Sequence, residues 1–312
     1  MSFRKWAVPT AGAVTLLYLV WRLLKLWLHR RQGSPRALAW EYARSNSDEP
    51  THLVLLVNGF LGGQASGRHV VDVVLERAGS RPVAAVRVQA SDLFSGVNVY
   101  SGGVGPASDE VVACVRRLQR RWPSLERVSL LGSSFGGLVQ RAAAPQVEAL
   151  GLRLDSLVCM CSPHSGAAQA QRWAALVALQ PLAILHELLA ASHGGGPLAQ
   201  LGGAEARFRR RIAVGSPHDT TVPLENALLG FALPAAELRA APLSAESQLL
   251  LQRQGRPDEP ESAGAGGGCA IARRLRAAGP WTLLVTSGRH SDETRAFSSR
   301  AVWAHIADLI LE

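Results

Sequence analysis

Over residues 50–312 the sequence predicts an α/β chain, a mostly parallel, doubly wound sheet with helices on both faces. Three observations predict it. Short continuous apolar runs such as His52–Val57 read as strands buried on both faces, because a strand with one wet face would alternate. Stretches with apolar residues at helical spacing separate these runs, the alternation that builds parallel sheets. One apolar run, Arg127–Leu131, leads straight into Gly132-Ser133-Ser134-Phe135-Gly136 and then an alanine-rich helical pattern.

The chain opens with an apolar stretch, Trp6–Trp21, that continues through Arg22 and Lys25 to Leu28. As a helix, Trp6–Leu28 would be about 35 Å long, enough to cross a bilayer core. Arg22 and Lys25 would snorkel toward the headgroups, and Trp6, Tyr18, Trp21 and Trp27 suit the interface. Residues 1–36 are therefore expected to be a single-pass membrane anchor, at the endoplasmic reticulum or a lipid droplet. More basic residues follow the run than precede it, so the bulk of the chain is expected to face the cytosol. Two rivals stay open: a mitochondrial presequence, which the arginine-rich, acid-free composition allows, and an amphipathic helix lying on a membrane surface.

In the body, His52–Val57 is the first strand, ended by Asn58-Gly59, and Val70–Ala78 reads as a helix. Val83–Gln89 is the next strand. Ser108–Arg121 is a helix with Asp109 and Glu110 near its start, where the dipole favours acids. Arg127–Leu131, Ser156–Cys161, Arg211–Gly215 and Trp281–Ser287 complete the strands, and Ala301–Leu311 is a terminal helix. Two segments break the alternation. Ala167–Ser192 is helical and strongly apolar; lying between two strands, it suits a helical cap spanning about residues 167–205, with an ordinary core helix as the alternative. Residues 253–268 (RQGRPDEPESAGAGGG) are expected to be a disordered surface loop.

Charge and cysteine content narrow the function. The formal net charge is +9, but residues 1–36 hold seven basic residues and no acid, leaving only +2 for the rest. No basic stripe with interleaved aromatics remains, which argues against nucleic-acid binding. Cys114, Cys159, Cys161 and Cys269 lack metal-ligand spacing and read as buried free thiols, so no metal is expected.

The chemistry-bearing stretch is Gly132–Gly136, a G-x-S-x-G pattern with Ser134 at its centre. A strand-to-helix turn sharp enough to lift a serine clear of the sheet leaves no room for side chains at its flanks, hence Gly132 and Gly136. Ser134 is the expected nucleophile. A serine hydroxyl needs a base, and the base an orienting acid. His290, in Ser287-Gly-Arg-His290-Ser-Asp292 just after the last strand, is the expected base. His305, His164 and His218 are the alternatives. Asp219, in Ser216-Pro-His-Asp219-Thr-Thr-Val-Pro223, is the expected acid, with Asp292 and Asp155 behind it; the bland reading of Asp219 is a turn or cap. Oxyanion donors would be the backbone N–H groups of Phe135 and of Phe60, in the turn after the first strand.

Together Leu56-Val-Asn58-Gly-Phe60-Leu-Gly, Gly132-Ser-Ser134-Phe-Gly136-Gly-Leu, Cys161-Ser-Pro-His164-Ser-Gly and His218-Asp219-Thr-Thr-Val-Pro resemble the serine esterase/lipase family of α/β-hydrolases, DUF676. The resemblance covers about residues 50–312, apart from 253–268. It implies the α/β-hydrolase fold and cleavage of lipid acyl esters without metal or organic cofactor. By motif it carries the nucleophile and acid roles onto Ser134 and Asp219; His290 is matched by order and position alone. Asn58 and Ser133 stand where the family usually has histidines that brace the loop and the elbow. A catalytically silent, membrane-tethered lipid-binding or interaction protein is therefore the rival to a membrane-associated lipase. Acyl transfer and thioester cleavage also fit the same triad.

Overall fold

The computed structural model describes residues 41–59, 67–88, 103–166, 187–188, 190–191, 196–201, 207–219, 221–231, 249–259, 269–287 and 299–312. The expected anchor within residues 1–36, Phe60, His290 and Asp292 lie outside these. Among the described residues no helix is long and apolar enough to cross a membrane.

Eight strands form one sheet in the order β1-β3-β2-β4-β5-β6-β8-β7. They are β1 (Glu41–Ser45), β2 (His52–Val57), β3 (Val83–Val88), β4 (Arg127–Ser133), β5 (Arg153–Met160), β6 (Arg210–Gly215), β7 (Leu249–Gly255) and β8 (Trp281–Thr286). The six inner strands pair in parallel, as their apolar runs predict, and β2 and β3 are buried along their whole length. The edges β1 and β7 run antiparallel to their neighbours.

Two hydrophobic layers cover the sheet. On one face helix α1 (Arg68–Ala78) buries Val70, Val71, Val73 and Val74. The terminal helix, numbered α7 below, packs beside it. On the other face α2 (Val104–Arg121) lays Val111, Val115 and Leu118 against Leu53, Leu55 and Leu130 of the sheet. Beside α2 lies α3 (Phe135–Glu148), whose Leu138, Val139, Ala143 and Ala144 are buried. Three shorter helices follow, α4 (Gly196–Gln200), α5 (Leu224–Ala227) and α6 (Cys269–Ala277), and α7 (Arg300–Leu311) closes the first face with Trp303, Ile306 and Ile310. Arg77 Nε donates to Asp308 Oδ1 at 2.7 Å, joining α1 to α7. Cys114, Cys159 and Cys161 are buried and form no disulfide, as expected.

Because β3 lies outside β2 while β4 lies inside it, the winding reverses between β2 and β4. Open α/β sheets bind ligands at such a switch point, outside the carboxyl ends of the strands.

One expectation changes. Arg253–Gly255 belongs to β7, paired with Trp281–Leu283, so the disordered loop expected from 253 begins inside a strand. An edge strand with one wet face carries polar residues, which is why Gln252 and Gln254 are exposed and the composition reads as loop. The turn beyond it is closed by Arg253 Nη2 on Glu259 Oε2 at 2.6 Å. In the expected cap, residues 167–186 lie outside the described set. The described residues Leu188, Ala191 and Leu198 join the core on the α2 face.

Candidate active site

Strand β4 ends at Ser133 and α3 starts at Phe135, so Ser134 makes the whole turn between them. Its φ of 50° and ψ of −123° are a backbone conformation that side chains disfavour, the strain of a nucleophile elbow. The Ser134 N–H holds the carbonyl of Met160, at the carboxyl end of β5, at 2.8 Å. A Cβ at Gly132 would sit 2.3 Å from the Gly137 nitrogen, and one at Gly136 only 2.2 Å from the Val57 carbonyl oxygen. The two glycines flanking the motif are thus required by backbone-to-backbone packing. Gly137 adds a third close approach: its Cβ would meet Ser162 Oγ at 2.1 Å.

Gly59, two residues beyond β2, lies close against the serine. A Cβ on Gly59 would lie 2.7 Å from Ser134 Cβ and 3.5 Å from its Oγ. Phe135 opens α3, where the positive end of the helix dipole and its N–H groups face any developing negative charge. Gln140, one and a half turns on, reaches back from α3. Its Nε2 donates to the carbonyls of Leu55 at 2.9 Å and Leu131 at 3.2 Å, tying the elbow helix to β2 and β4. The family's two usual histidines are here Asn58 and Ser133, both buried at the strand ends beside Ser134.

Asp219 lies four residues beyond the carboxyl end of β6, in a loop leading to α5. Its Oδ1 accepts the N–H groups of Thr221 at 2.7 Å and Val222 at 2.9 Å, which fixes the carboxylate and shapes the loop around it. The turn role and an orienting role are compatible, because both need a fixed carboxylate. Neighbouring β8 ends at Thr286, four residues before His290, so the topology puts the chain ends leading to Asp219 and His290 on adjacent strands.

The described alternatives fall away on geometry. Asp155 is the third residue of β5, five residues or about 16 Å of strand before Met160. There its carboxylate is forked by Arg209, at 3.0 and 3.3 Å, at the amino end of the sheet. His305 is on α7, bonded through Nε2 to Gln252 of the edge strand. His164 follows β5 and is wholly buried, and its Nδ1 lies 3.3 Å from Arg141 Nη1. A general base needs a carboxylate on its second nitrogen; a guanidinium there opposes the imidazolium. Burial, reinforced by Arg141, holds the His164 pKa well below the usual histidine value. His218, beside Asp219, has a buried Nε2 without a hydrogen-bond partner among the described residues.

Sequence reading missed Gln140, Arg141 and Asn226. Asn226 of α5 accepts the Ser165 N–H at 2.8 Å and donates to the Gly166 carbonyl. Their only signal is a polar residue inside an otherwise apolar helical face. Among the described residues no group of acidic, histidine and cysteine side chains could hold a metal ion.

Several solved structures resemble the chain. Carboxyl esterase 2 from the fungus Tuber melanosporum is 13% identical over 87% of this chain and 82% of its own, with a TM-score of 0.48. An acetyl ester-xyloside bifunctional hydrolase from Caldicellulosiruptor lactoaceticus is 13% identical over 88% and 89%, with a TM-score of 0.48. Est1E from Butyrivibrio proteoclasticus is 16% identical over 59% and 76%, at 0.39. No protein of curated function matches the sequence. Residues 47–198, which contain the turn after β2, the elbow and the His164 motif, match the family described as "Putative serine esterase (DUF676)". Over that segment, a little under half of its length, the chain is similar to that family.

Proposed function

We propose that the protein is a membrane-associated serine hydrolase that cleaves an acyl ester of a lipid through a Ser134 acyl-enzyme. The observation that carries this is the strained Ser134 turn, pinned between β2, β5 and α3, with Gly59 close against it at the switch point of the sheet. In this reading His290 takes the Ser134 proton as Oγ attacks the ester carbonyl, and Asp219 orients and stabilises the imidazolium. The N–H groups of Phe60 and Phe135 hold the oxyanion; losing one such donor costs about 3 kcal/mol of transition-state stabilisation. His290 then protonates the leaving alcohol, and water, activated by the same imidazole, releases the acid and restores Ser134. No metal or organic cofactor takes part. The segment Trp6–Leu28 anchors the protein to the endoplasmic reticulum or a lipid droplet, with the hydrolase domain facing the cytosol, and a cap within residues 167–205 shelters an apolar substrate.

Fluorophosphonate labelling of the full chain against Ser134→Ala tests the reading. Labelling of the native chain alone is expected, and equal labelling of both would remove Ser134 from its role. A second reading, a silent hydrolase-like lipid-binding or interaction protein, is favoured by Asn58 and Ser133 in place of bracing histidines. It predicts no labelling of either form. Retention in the membrane pellet after alkaline carbonate extraction is expected; release would exclude the spanning anchor.

A further inference from the structure

The stretch Cys161–Gly166 has no part in the triad chemistry, yet it lies between the proposed nucleophile and the proposed acid. It starts where β5 ends. The Met160 carbonyl accepts the Ser134 N–H at 2.8 Å, and the next N–H, that of Cys161, reaches the Val214 carbonyl of β6 at 2.7 Å. Cys161 has a φ of 45°, so the chain turns sharply there, as it does at Ser134. Ser162 then lies against the elbow helix, because a Cβ on Gly137 would meet its Oγ at 2.1 Å. Hydrogen bonds from the His164 N–H to Ser162 at 2.9 Å and from the Gly166 N–H to Pro163 at 3.1 Å close the turn.

Beyond it stands Asn226, whose Oδ1 accepts the Ser165 N–H at 2.8 Å and whose Nδ2 donates to the Gly166 carbonyl. One backbone donor and one backbone acceptor face this side chain, so an amide satisfies both and its orientation is fixed. Asn226 belongs to α5, a helix of four residues, too short to hold a position by its own hydrogen bonds. Its place comes from what it touches. Leu224, Ala227 and Leu228 close on Gly215 at the end of β6, where an added Cβ would lie 2.7, 3.2 and 3.1 Å from them. Asn226 grips the turn after β5. The Asp219 loop leads directly into this helix: Asp219 Oδ1 holds the Val222 N–H at 2.9 Å, and the Pro223 carbonyl holds the Asn226 N–H at 2.9 Å.

We infer that Asn226 is a positioning residue, which sets the Asp219 carboxylate in register with the Ser134 elbow by tying the helix after the acid loop to the turn after β5. The roles of Ser134 and Asp219 rest on the esterase reading; the tie itself does not. From the Ser134 backbone to the Asp219 carboxylate the links are hydrogen bonds of 2.8, 2.8, 2.9 and 2.9 Å, joined by short stretches of chain. A small displacement of an orienting group alters turnover far more than the loss of two hydrogen bonds would, and it acts only through that group. The effect of Asn226 on catalysis must therefore vanish when Asp219 cannot act.

Three variants of the full chain test this. Asn226→Leu has a similar volume with neither donor nor acceptor, Asn226→Gln carries both on a longer arm, and Asp219→Asn keeps an acceptor for Thr221 and Val222. Amide hydrogen exchange reads the tie and needs no activity. In Asn226→Leu the Ser165, Thr221 and Val222 amides should exchange about tenfold faster, and in Asn226→Gln by a smaller factor. Hydrolysis of p-nitrophenyl butyrate reads the consequence. In Asn226→Leu kcat should fall about tenfold with KM unchanged, and Asn226→Gln should recover part of the loss. Asp219→Asn should lower kcat about a thousandfold or more, and adding Asn226→Leu to it should lower kcat no further. Faster exchange at Ser165 with native rates at Thr221 and Val222 overturns the tie. A tenfold loss that persists in the Asp219→Asn background makes Asn226 a structural residue and overturns the positioning role. Should Asn226→Leu fail to fold, Asn226→Gln in the two backgrounds makes the same comparison. If Ser134→Ala or Asp219→Asn keeps native activity, the esterase reading fails and the positioning role with it, and exchange alone decides whether Asn226 holds the two turns together.

Discussion

Both ends of the sheet hold a serine, a histidine and an aspartate, and the two serines stand on different backbone. At the amino end His52 Nε2 bonds Ser129 Oγ at 2.8 Å, with Asp155 close by. By composition this is a triad; by geometry it is not. Ser129 lies inside β4, paired with Val54 of β2 and at the shift of register against β5 between Val128 and Leu130, and is fully buried. Asp155 is taken by Arg209 and lies 3.6 Å from Arg127, while His52 Nδ1 has no hydrogen-bond partner among the described residues. Burial, then Arg127, pushes the His52 pKa down to about 3, so the ring is neutral and too weak a base at neutral pH. At the carboxyl end Ser134 stands on a strained turn with glycines clearing its flanks. What separates a reactive serine from a structural one is the backbone that presents it and the charge aimed at its neighbours.

The largest expected difference between the two ends is their tolerance of a single carbon. A methyl at Gly136 would meet the Val57 carbonyl oxygen at 2.2 Å, against backbone that cannot rotate away. Gly136→Ala should cost about 3 kcal/mol of stability, the upper range for overpacking. It should also slow Ser134 labelling beyond what that destabilisation explains, because the elbow and the Gly59 turn move with it. Denaturant midpoints with labelling rates check this; a stable variant labelled at the native rate would show that the elbow geometry does not govern reactivity.

Much of this was legible in the sequence where the physics is local. Strand, turn and helix follow each other within Arg127–Ala144, so the elbow could be read from glycine spacing and apolar runs. Asp219 could be placed because a polar loop after a buried strand must emerge at the sheet's edge. The edge strands Glu41–Ser45 and Leu249–Gly255 could not, since half-wet strands this short carry arginine and glutamine and look like loops. Asp155 looked available as an acid until pairing placed it among arginines at the wrong end. The Arg141–His164 contact spans 23 positions, and a buried arginine gives no sign of itself in composition.

Acidification should act on the buried histidines before any carboxylate. His52 and His164 have folded-state values below that of the unfolded chain, so the unfolded state binds more protons as pH falls below about 6.5. Stability is therefore whole above that pH and declines below it, and for His52 the decline continues to about pH 3. Each such histidine contributes a slope of about 1.4 kcal/mol per pH unit. In His52→Gln the slope between pH 6 and 4, measured from denaturant midpoints, should flatten by that amount. An unchanged slope would mean that His52 is not held neutral by the fold.

The smallest effect comes from Ser129, and it separates the two ends most cleanly. Ser129→Ala removes the hydroxyl that partners His52 Nε2 and leaves a second ring nitrogen unmet in a buried site. An unsatisfied buried group of this kind costs about 1–2 kcal/mol. The variant should lose a few degrees of Tm, roughly what that energy is worth in a domain of this size. Labelling at Ser134 should stay at the native rate, because Ser129 is five residues upstream along β4 and reaches the site only through a strand held on both sides. If Ser129→Ala slowed labelling, the amino-end cluster would be coupled to the elbow, and the buried His52 would have a part in setting the register of β2 against β4.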